Sequence, residues 1–166
     1  MKILLYLSLF LLIQDNLITD KSVDGVNIGK EINKFISEVK SKYSVKKEKF
    51  MLEGDSYDIY NVYENGNKIY SVEPAENKAI IYRIWIYSSK FKTKEGIGVG
   101  STLGDLKSKY HIKFITTEGE GGIAVSVKEC DVCFILDNSK LPQNWWDKMD
   151  TKILPDNITI AEIIIA

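Results

Sequence analysis

Apolar positions in two segments, 32–43 and 103–110, recur every three or four residues, which is the spacing of one face of a helix. Ser101 or Thr102 is suited to cap the second segment, with Asp105 placed to return a bond to Thr102. The pattern predicts two amphipathic helices. Their inward residues are Ile32, Phe35, Ile36, Val39 and Tyr43 in the first and Leu103, Leu106 and Tyr110 in the second.

Each predicted helix is followed by segments rich in β-branched and aromatic residues, which are typical of strands. These segments are 53–63, 68–73 and 79–87 after the first helix, and 118–128, 132–137 and 158–165 after the second. Asn65-Gly66 is a strong two-residue hairpin turn, and a second turn is expected near Cys130 and Asp131. We therefore predict antiparallel strands after each helix.

The two predicted helices end in nearly the same sequence, VKSKY at 39–43 and LKSKY at 106–110. Each is preceded by a glycine, Gly29 or Gly100. This internal similarity predicts a tandem repeat of a helix followed by antiparallel strands, over residues 26–87 and 97–165. The expected fold class is α+β, a single domain over residues 21–166 with the helices packed on one face of antiparallel sheet.

The N-terminal segment carries a different pattern. Lys2 precedes an unbroken apolar run over residues 3–13, which stops at polar residues 14–16. The run is short for a membrane span and matches the apolar region of a secretory signal peptide. We predict a signal peptide over residues 1–20 and export to the periplasm or the medium, with no stable membrane span after cleavage. No A-x-A motif follows the run, so an uncleaved anchor is the alternative.

Composition changes this picture little. Hydrophobic residues make up 45% of the chain and charged residues 27%, which is ordinary for a soluble globular protein. The formal net charge is -1, which argues against a nucleic-acid partner bound through its phosphates. The basic run at 40–49 is interpreted as a solvated helix end.

Residues with catalytic or ligating chemistry are scattered along the chain. The glycines of GIGVGSTLG, at 96–104, lack the lysine and the spacing of a phosphate loop, and tight turn geometry explains them better. His111 is the single histidine and has no cysteine or carboxylate at a metal-binding spacing. We therefore predict no cofactor, no metal site, no catalytic residues and no enzymatic activity.

Cys130 and Cys133 form the sequence C-D-V-C at the second predicted turn. Redox pairs of this spacing usually lie at the N-terminus of a helix, so thioredoxin-like chemistry is disfavoured here. In an exported protein an even cysteine count favours a disulfide, although a bridge across so short a loop is strained. We predict a disulfide that closes the turn, and two reduced thiols are the alternative.

The segment 137–157 is the least regular part of the chain and holds two prolines together with Trp145 and Trp146. It stands where the first half has only the short turn near 74–78. Tryptophan is frequent at binding hot spots, so a binding loop is one interpretation. The other is that the indoles fold back over the core or over a sheet edge.

Residues 60–166 resemble the RpoE-regulated lipoproteins of the bacterial envelope. The resemblance rests on the hairpin turn at 65–66, IIYRIWI at 80–86, GIGVGSTLGDLKSKY at 96–110, AVSV at 124–127, FILD at 134–137 and a closing strand after a loop with Pro155. It implies an envelope address and a shared fold, and no settled biochemical activity. These lipoproteins carry a cysteine just after the signal segment, which this chain lacks, so a lipid anchor is not expected.

Together these features favour a non-enzymatic binding or interaction module of the envelope, whose partner would be an envelope protein. Repeats of a helix and strands also resemble the secreted proteins that inhibit β-lactamases, which present a concave sheet to the enzyme. A small hydrolase that uses carboxylates such as Glu118, Glu120 and Asp137 is a further alternative. Two converging carboxylates with raised pKa values would favour that alternative.

Overall fold

The computed structural model describes residues 16–52, 55–76, 78–117, 122–141, 145 and 150–166. Within them, the strands are β1 (Leu17–Thr19), β2 (Ser22–Val23), β3 (Val26–Asn27), β4 (Ser44–Leu52), β5 (Asp55–Glu64), β6 (Asn67–Pro74), β7 (Ile81–Ile86), β8 (Lys92–Thr93), β9 (Ile112–Thr117), β10 (Ile123–Val127), β11 (Cys133–Leu136) and β12 (Ile160–Ile165). Helix α1 (Ile32–Val39) lies between β3 and β4, and α2 (Leu103–Lys109) lies between β8 and β9. Two 3-10 turns, Asn138–Lys140 and Thr151–Ile153, lie between β11 and β12.

An antiparallel sheet of eight strands forms the body of the molecule, in the order β4-β5-β6-β7-β12-β11-β10-β9. It consists of two meanders of four strands each, β4–β7 and β9–β12, in which every strand pairs with the next one along the chain. The meanders join where β7 pairs with β12, with Ile163 opposite Ile86. The strands β4 and β9 are therefore the two edges of the sheet.

One face of this sheet carries the core. A single row of side chains crosses all eight strands in register, and six of its eight members are completely buried. The row consists of Val45, Val62, Tyr70, Ile86, Ile163, Phe134, Val125 and Ile115. Because neighbouring residues in a strand point to opposite faces, the residues between these positions form the other face of the sheet.

The core face is covered by the two helices, by a small sheet and by the loop that precedes β12. The small sheet has the order β3-β2-β1-β8, in which β1 and β8 are parallel. Ile18 of β1 and Phe91 beside β8 are buried in the same core cluster as Phe35 of α1 and Leu106 of α2. All of these elements therefore share one hydrophobic core.

Local signals in the sequence correctly predict several details. Asn65 and Gly66 have φ values of 49° and 82°, which is the left-handed backbone that a two-residue hairpin turn requires. At the start of α2, Thr102 Oγ1 accepts a hydrogen bond from the amide of Asp105 at 3.0 Å. The Asp105 carboxylate accepts one from the amide of Thr102 at 2.8 Å, which completes the predicted reciprocal cap.

The predicted fold class, α+β with tandem repeats of a helix and strands, is wrong. The described chain is mostly β: twelve strands stand against two helices of 8 and 7 residues. Such short helices bury few side chains, and α2 contributes only Leu103 and Leu106. The helices therefore do not form a layer of their own, and the small sheet shares the covering of the core with them.

The interpretation of the basic run at 40–49 as a helix end holds only at its start, where Lys40 is the C-cap of α1, and is wrong from Ser44 onward. Residues from Ser44 onward form β4, which pairs with β5 over its whole length, with Lys46 opposite Asn61 and Glu48 opposite Ile59. This strand is an edge of the sheet, and edge strands carry charged side chains that discourage pairing with other chains. Lysines in this run are therefore compatible with a strand. They also obscure the alternation of apolar and polar residues by which a strand is recognised in a sequence.

The predicted signal boundary at residue 20 falls inside the described fold. Ile18 is 3% exposed and β1 lies between β2 and β8, so cleavage after residue 20 would remove a strand from the small sheet. Any cleavage that leaves this sheet intact has to occur before Leu17. The apolar run at 3–13 lies outside the described residues.

Candidate functional site

The eight-stranded sheet has an outer face, on the side away from the core, to which every strand contributes. Across it runs a second row in register, formed by Lys46, Asn61, Ser71, Trp85, Ile164, Cys133, Ser126 and Phe114. Trp85, Ile135 and Ile164 on this face are half-buried, and they neither belong to the core cluster nor pack against it. The outer face is therefore a surface with its own side-chain chemistry.

The first meander gives its part of the outer face a polar network. Ser71 Oγ donates to Asn61 Oδ1 at 2.6 Å, and Asn61 Nδ2 donates to Glu48 Oε2 at 2.7 Å. Tyr87 bonds to Ser71, and the ammonium of Lys68 lies 4.0 Å from the centre of the Tyr87 ring. Buried polar groups that are satisfied in this way hold one another in fixed positions.

A second cluster on the same part of the outer face contains an indole. Glu73 Oε2 accepts hydrogen bonds from Arg83 Nη1 and from Trp85 Nε1, each at 3.3 Å. The Arg83 guanidinium also lies 5.6 Å from the centre of the Trp85 ring. Trp85 is therefore an oriented aromatic side chain whose polar end is already bonded.

The second meander gives its part of the outer face a different character. Its side chains there are mostly apolar or small, and Phe114 on the edge strand β9 is 47% exposed. Next to them lies Glu162 of β12, opposite Ile135. Burial raises the pKa of the Glu162 carboxyl group, and the Lys68 ammonium opposes that effect.

A second candidate site lies beside Tyr110, and the pair formed by Tyr43 and Asp24 is the comparison for it. Tyr43 follows α1, and its hydroxyl donates to Asp24 Oδ2 at 2.7 Å. Tyr110 follows α2, and its hydroxyl donates to Glu95 Oε2 at 2.5 Å. Each acid precedes a glycine with positive φ, 76° at Gly25 and 85° at Gly96, so the two pairs occupy corresponding places along the chain.

The Tyr110–Glu95 pair borders a cleft of ≈ 270 Å³ beside β1. The carboxylates of Asp20, Glu95 and Glu129 line this cleft together with Tyr110 and the thiol of Cys130. Burial raises the pKa of Tyr110, and its bond to Glu95 raises it further. Burial also raises the pKa of Cys130, and the three carboxylates add to that effect. Both groups are therefore uncharged at neutral pH.

The structure describes Cys130 and Cys133 as thiols rather than as a disulfide. Cys133 lies in β11 opposite Ser126 and Ile164, on the outer face, whereas Cys130 lines the cleft and packs against the core. The disulfide across the turn stays a prediction. Alternation along the strand, which the sequence shows, could have placed Cys133 on the outer face.

The tryptophan loop has one described indole. Trp145 is 3% exposed, belongs to the core cluster, and donates from Nε1 to the backbone oxygen of Asp150 at 3.2 Å. Leu141 and Leu154 of the same loop are buried with it. This arrangement agrees with the interpretation in which the loop folds over the core. Trp146 lies outside the described residues.

The other residues considered from the sequence are His111, Asp137, Glu118 and Glu120. His111 Nδ1 lies 2.5 Å from Glu129 Oε1, and the ring is largely exposed to solvent. Asp137 caps a 3-10 turn by accepting from the amide and the hydroxyl of Ser139 at 3.0 and 2.6 Å. Glu118 and Glu120 lie outside the described residues. The structure therefore places Asp137 in a structural role.

The glycines of the segment at 96–104 meet requirements of the backbone conformation and packing. Gly100 has a φ of 85°, and its amide donates to the oxygen of Ile160 in β12 at 2.9 Å. A side chain at Gly98 would place its Cβ 2.3 Å from the backbone oxygen of Phe91. Turn geometry and close approach therefore account for these two glycines, as the sequence predicts.

Over the described ranges, no group of three or more histidine, cysteine or acidic side chains is arranged to hold a metal ion. Neither helix in the described part of the chain has the length and apolar character needed to cross a membrane.

No family model matches this chain, and no curated protein matches it. A solved structure does share its fold: the crystal structure of the uncharacterized protein yfeY from Escherichia coli, with a TM-score of 0.69. The match covers 89% of this chain and 97% of that one, at 13% sequence identity. At this identity the likeness shows the fold alone, so the described architecture is one that a bacterial protein also adopts.

Proposed function

We propose that this chain is an exported protein of the bacterial envelope, distantly related to the RpoE-regulated lipoproteins, and that it acts as a binding module. Support for the family comes from the motifs at 60–166 and from the fold shared with yfeY, a protein of that envelope family. Support for export comes from Lys2 and the apolar run at 3–13. The absence of a lipid-attachment cysteine after that run favours a protein without a lipid anchor.

The observation that carries the binding proposal is the outer face of the large sheet. It combines an oriented indole, Trp85, with half-buried Ile135 and Ile164 and an exposed Phe114, and the polar groups of the first meander lie on one side of them. Protein interfaces combine buried aromatic and apolar residues with polar groups, and Trp85 and Ile164 lie on the two middle strands of this sheet. We therefore propose a protein partner that lies across both meanders.

A crosslinking experiment tests the surface. A photoreactive amino acid is placed at Trp85, at Phe114, or at Asn33, which is an exposed position on α1 on the opposite side of the molecule. Crosslinks to the same envelope protein from the first two positions, and none from Asn33, are expected. Equal crosslinking from all three positions, or none from the outer face, would contradict the proposal.

A matched substitution sharpens this test. Ile164→Glu puts a charge in the centre of the outer face and is expected to lower crosslinking from Phe114 at least tenfold, which is about 1.4 kcal/mol or more of binding energy. Thermal melts confirm that the variant is folded, and Trp85→Ala serves as a second variant. Unchanged crosslinking in both folded variants would place the partner elsewhere.

Fractionation and N-terminal sequencing test the envelope address. We expect an extracytoplasmic protein whose first residue lies before Leu17, because β1 is part of the fold. Recovery of a soluble cytoplasmic protein that begins with Met1 would overturn the proposed export.

A further inference from the structure

We propose that the cleft beside Tyr110 binds a primary ammonium group carried on an alkyl chain. The proposal depends on the cleft and not on the outer face, so it stands apart from the proposed protein partner. It rests on a comparison within the molecule, because the corresponding tyrosine–carboxylate pair of the first half already binds ammonium groups.

In the first half, two lysines of the chain contact the Tyr43–Asp24 pair. Lys90 Nζ lies 3.1 Å from the hydroxyl of Tyr43 and 4.9 Å from the centre of its ring. Lys42 Nζ lies 3.2 Å from Asp24 Oδ1, and this carboxylate is almost completely buried. Lys90 also binds Glu64 at 2.9 Å, so its ammonium lies between a phenol and a carboxylate.

In the second half, the corresponding pair has no such partner. Among the described residues, no ammonium group makes an ion pair with Glu95 or a hydrogen bond with the hydroxyl of Tyr110. Lys109 stands directly before Tyr110 as Lys42 stands before Tyr43, yet it makes no ion pair with any described residue. The same two functional groups face the cleft instead.

The charge and shape of the cleft fit this ligand. Its lining contains the carboxylates of Asp20, Glu95 and Glu129 and a single lysine, Lys94. Glu129 contacts Nδ1 of His111, whereas Asp20 and Glu95 make no ion pair with any described residue. An ammonium group is attracted to such a site because the low dielectric of a protein surface strengthens the interaction.

The remaining wall is partly apolar, with Thr19 and Thr93 beside the apolar side chains. Leu17, Ile18 and Val132 line the same cleft, and Ile18 and Val132 are buried in the core. Methylene chains of lysine pack on apolar surface in this way while the charged end stays near polar groups. The volume of ≈ 270 Å³ lies below the range of pockets for drug-sized ligands, which suits a short alkyl chain.

Titration of the folded protein with cadaverine, followed by calorimetry and by amide NMR shifts, tests the proposal. We expect saturable binding, with shifts at Thr93, Lys94 and Val132. The neutral analogue 1-pentanol is expected to bind at least tenfold more weakly, because it keeps the alkyl chain and lacks the charge. Equal binding of both probes, or no binding of cadaverine, would overturn the proposal.

Two isosteric variants distinguish binding of cadaverine in the cleft from its attraction to the overall charge of the protein. Glu95→Gln is expected to weaken cadaverine binding at least tenfold, and Glu38→Gln on α1 removes the same charge at a distance and should leave binding unchanged. If Glu95→Gln fails to fold, Asp20→Asn takes its place, with a weakening of about threefold or more expected. Equal affinities in the folded variants and the wild type would refute the site.

The source of the ammonium group is resolved by two further probes. A short lysine-containing peptide and the same peptide with acetyllysine are titrated in the same way. Tighter binding of the lysine peptide than of cadaverine would identify a protein side chain as the ligand, and the reverse order would identify a small amine. Loss of binding on acetylation is expected in either case, and retained binding of the acetylated peptide would contradict recognition of the ammonium.

Discussion

The two meanders of the large sheet share one core row and present different chemistry to solvent. On the core face, Val62 and Tyr70 of the first meander continue in register into Phe134 and Val125 of the second. On the outer face, the first meander carries a bonded network of charged and polar groups, whereas the second is mostly apolar or small. The comparison shows that packing constrains one face of the sheet and leaves the other available for specific chemistry.

The tyrosine–carboxylate pairs after the two helices also combine a shared backbone geometry with different surroundings. Tyr43 and Tyr110 each bond to a carboxylate beside a glycine, so the same backbone geometry is used in both halves. Lysines of the chain occupy the first pair, while the second pair borders a cleft. A difference in a few neighbouring side chains therefore separates a structural cluster from a candidate ligand site.

The largest expected effect concerns the loop that only the second meander has between its third and fourth strands. Trp145→Ala should lower the free energy of unfolding by about 3–5 kcal/mol, because it removes a buried aromatic side chain. Met51→Ala in the first meander is the control: this side chain is 63% exposed and should cost less than about 0.5 kcal/mol. Denaturant unfolding measures both. A small loss for Trp145→Ala would return the loop to the binding interpretation.

A smaller effect is expected in the core row, where the first meander contributes Tyr70 and the second contributes Phe134, which lacks the hydroxyl. Tyr70 is buried, and its hydroxyl finds no hydrogen-bond partner among the described residues, whereas the second meander has Phe134 in the same row. Phe134→Tyr should cost about 1–3 kcal/mol, because it buries an unpaired polar group. Tyr70→Phe should be neutral or slightly stabilising. The reverse order of the two effects would show that the hydroxyl of Tyr70 is satisfied in solution.

The smallest expected effect is a pH dependence at the boundary between the two outer surfaces. Burial raises the pKa of Glu162 in the folded protein above the ordinary value for a glutamate. The folded state then holds the proton more tightly than the unfolded state does. Stability therefore falls as pH rises from the ordinary pKa of a glutamate through the raised pKa of Glu162. Glu162→Gln removes the effect and should raise the free energy of unfolding at pH 7 by less than about 1 kcal/mol, because solvent screens this half-buried side chain.

Thermal melts at several pH values check the sign of this effect. The gain from Glu162→Gln should vanish below about pH 3.5, where the carboxyl is protonated in both states. Glu129→Gln is the control with the opposite sign, since its hydrogen bond to His111 lowers the pKa of Glu129. That interaction stabilises the fold above the ordinary pKa of a glutamate and is lost as pH falls. The same direction of change in both variants would contradict the assignment.

Local elements whose causes lie within a few residues can be predicted from the amino-acid sequence. Asn65-Gly66 predicts its turn because both residues tolerate positive φ, and Thr102 with Asp105 predicts the start of α2 because the capping groups are three residues apart. The inward faces of both helices follow from the spacing of their apolar residues. Six strands were recognised because buried strands are rich in β-branched and aromatic side chains.

Contacts between distant parts of the chain determine which features lie at an edge, on the outer face or in the core. The edge strand β4 is rich in lysine, and the strands of the small sheet are two or three residues long, so neither shows a period in the sequence. The burial of Trp145 and the separation of Cys130 from Cys133 likewise depend on how distant segments pack. Partners far apart in the chain create the outer face and the cleft, because both are assembled from side chains that meet only after the strands have paired.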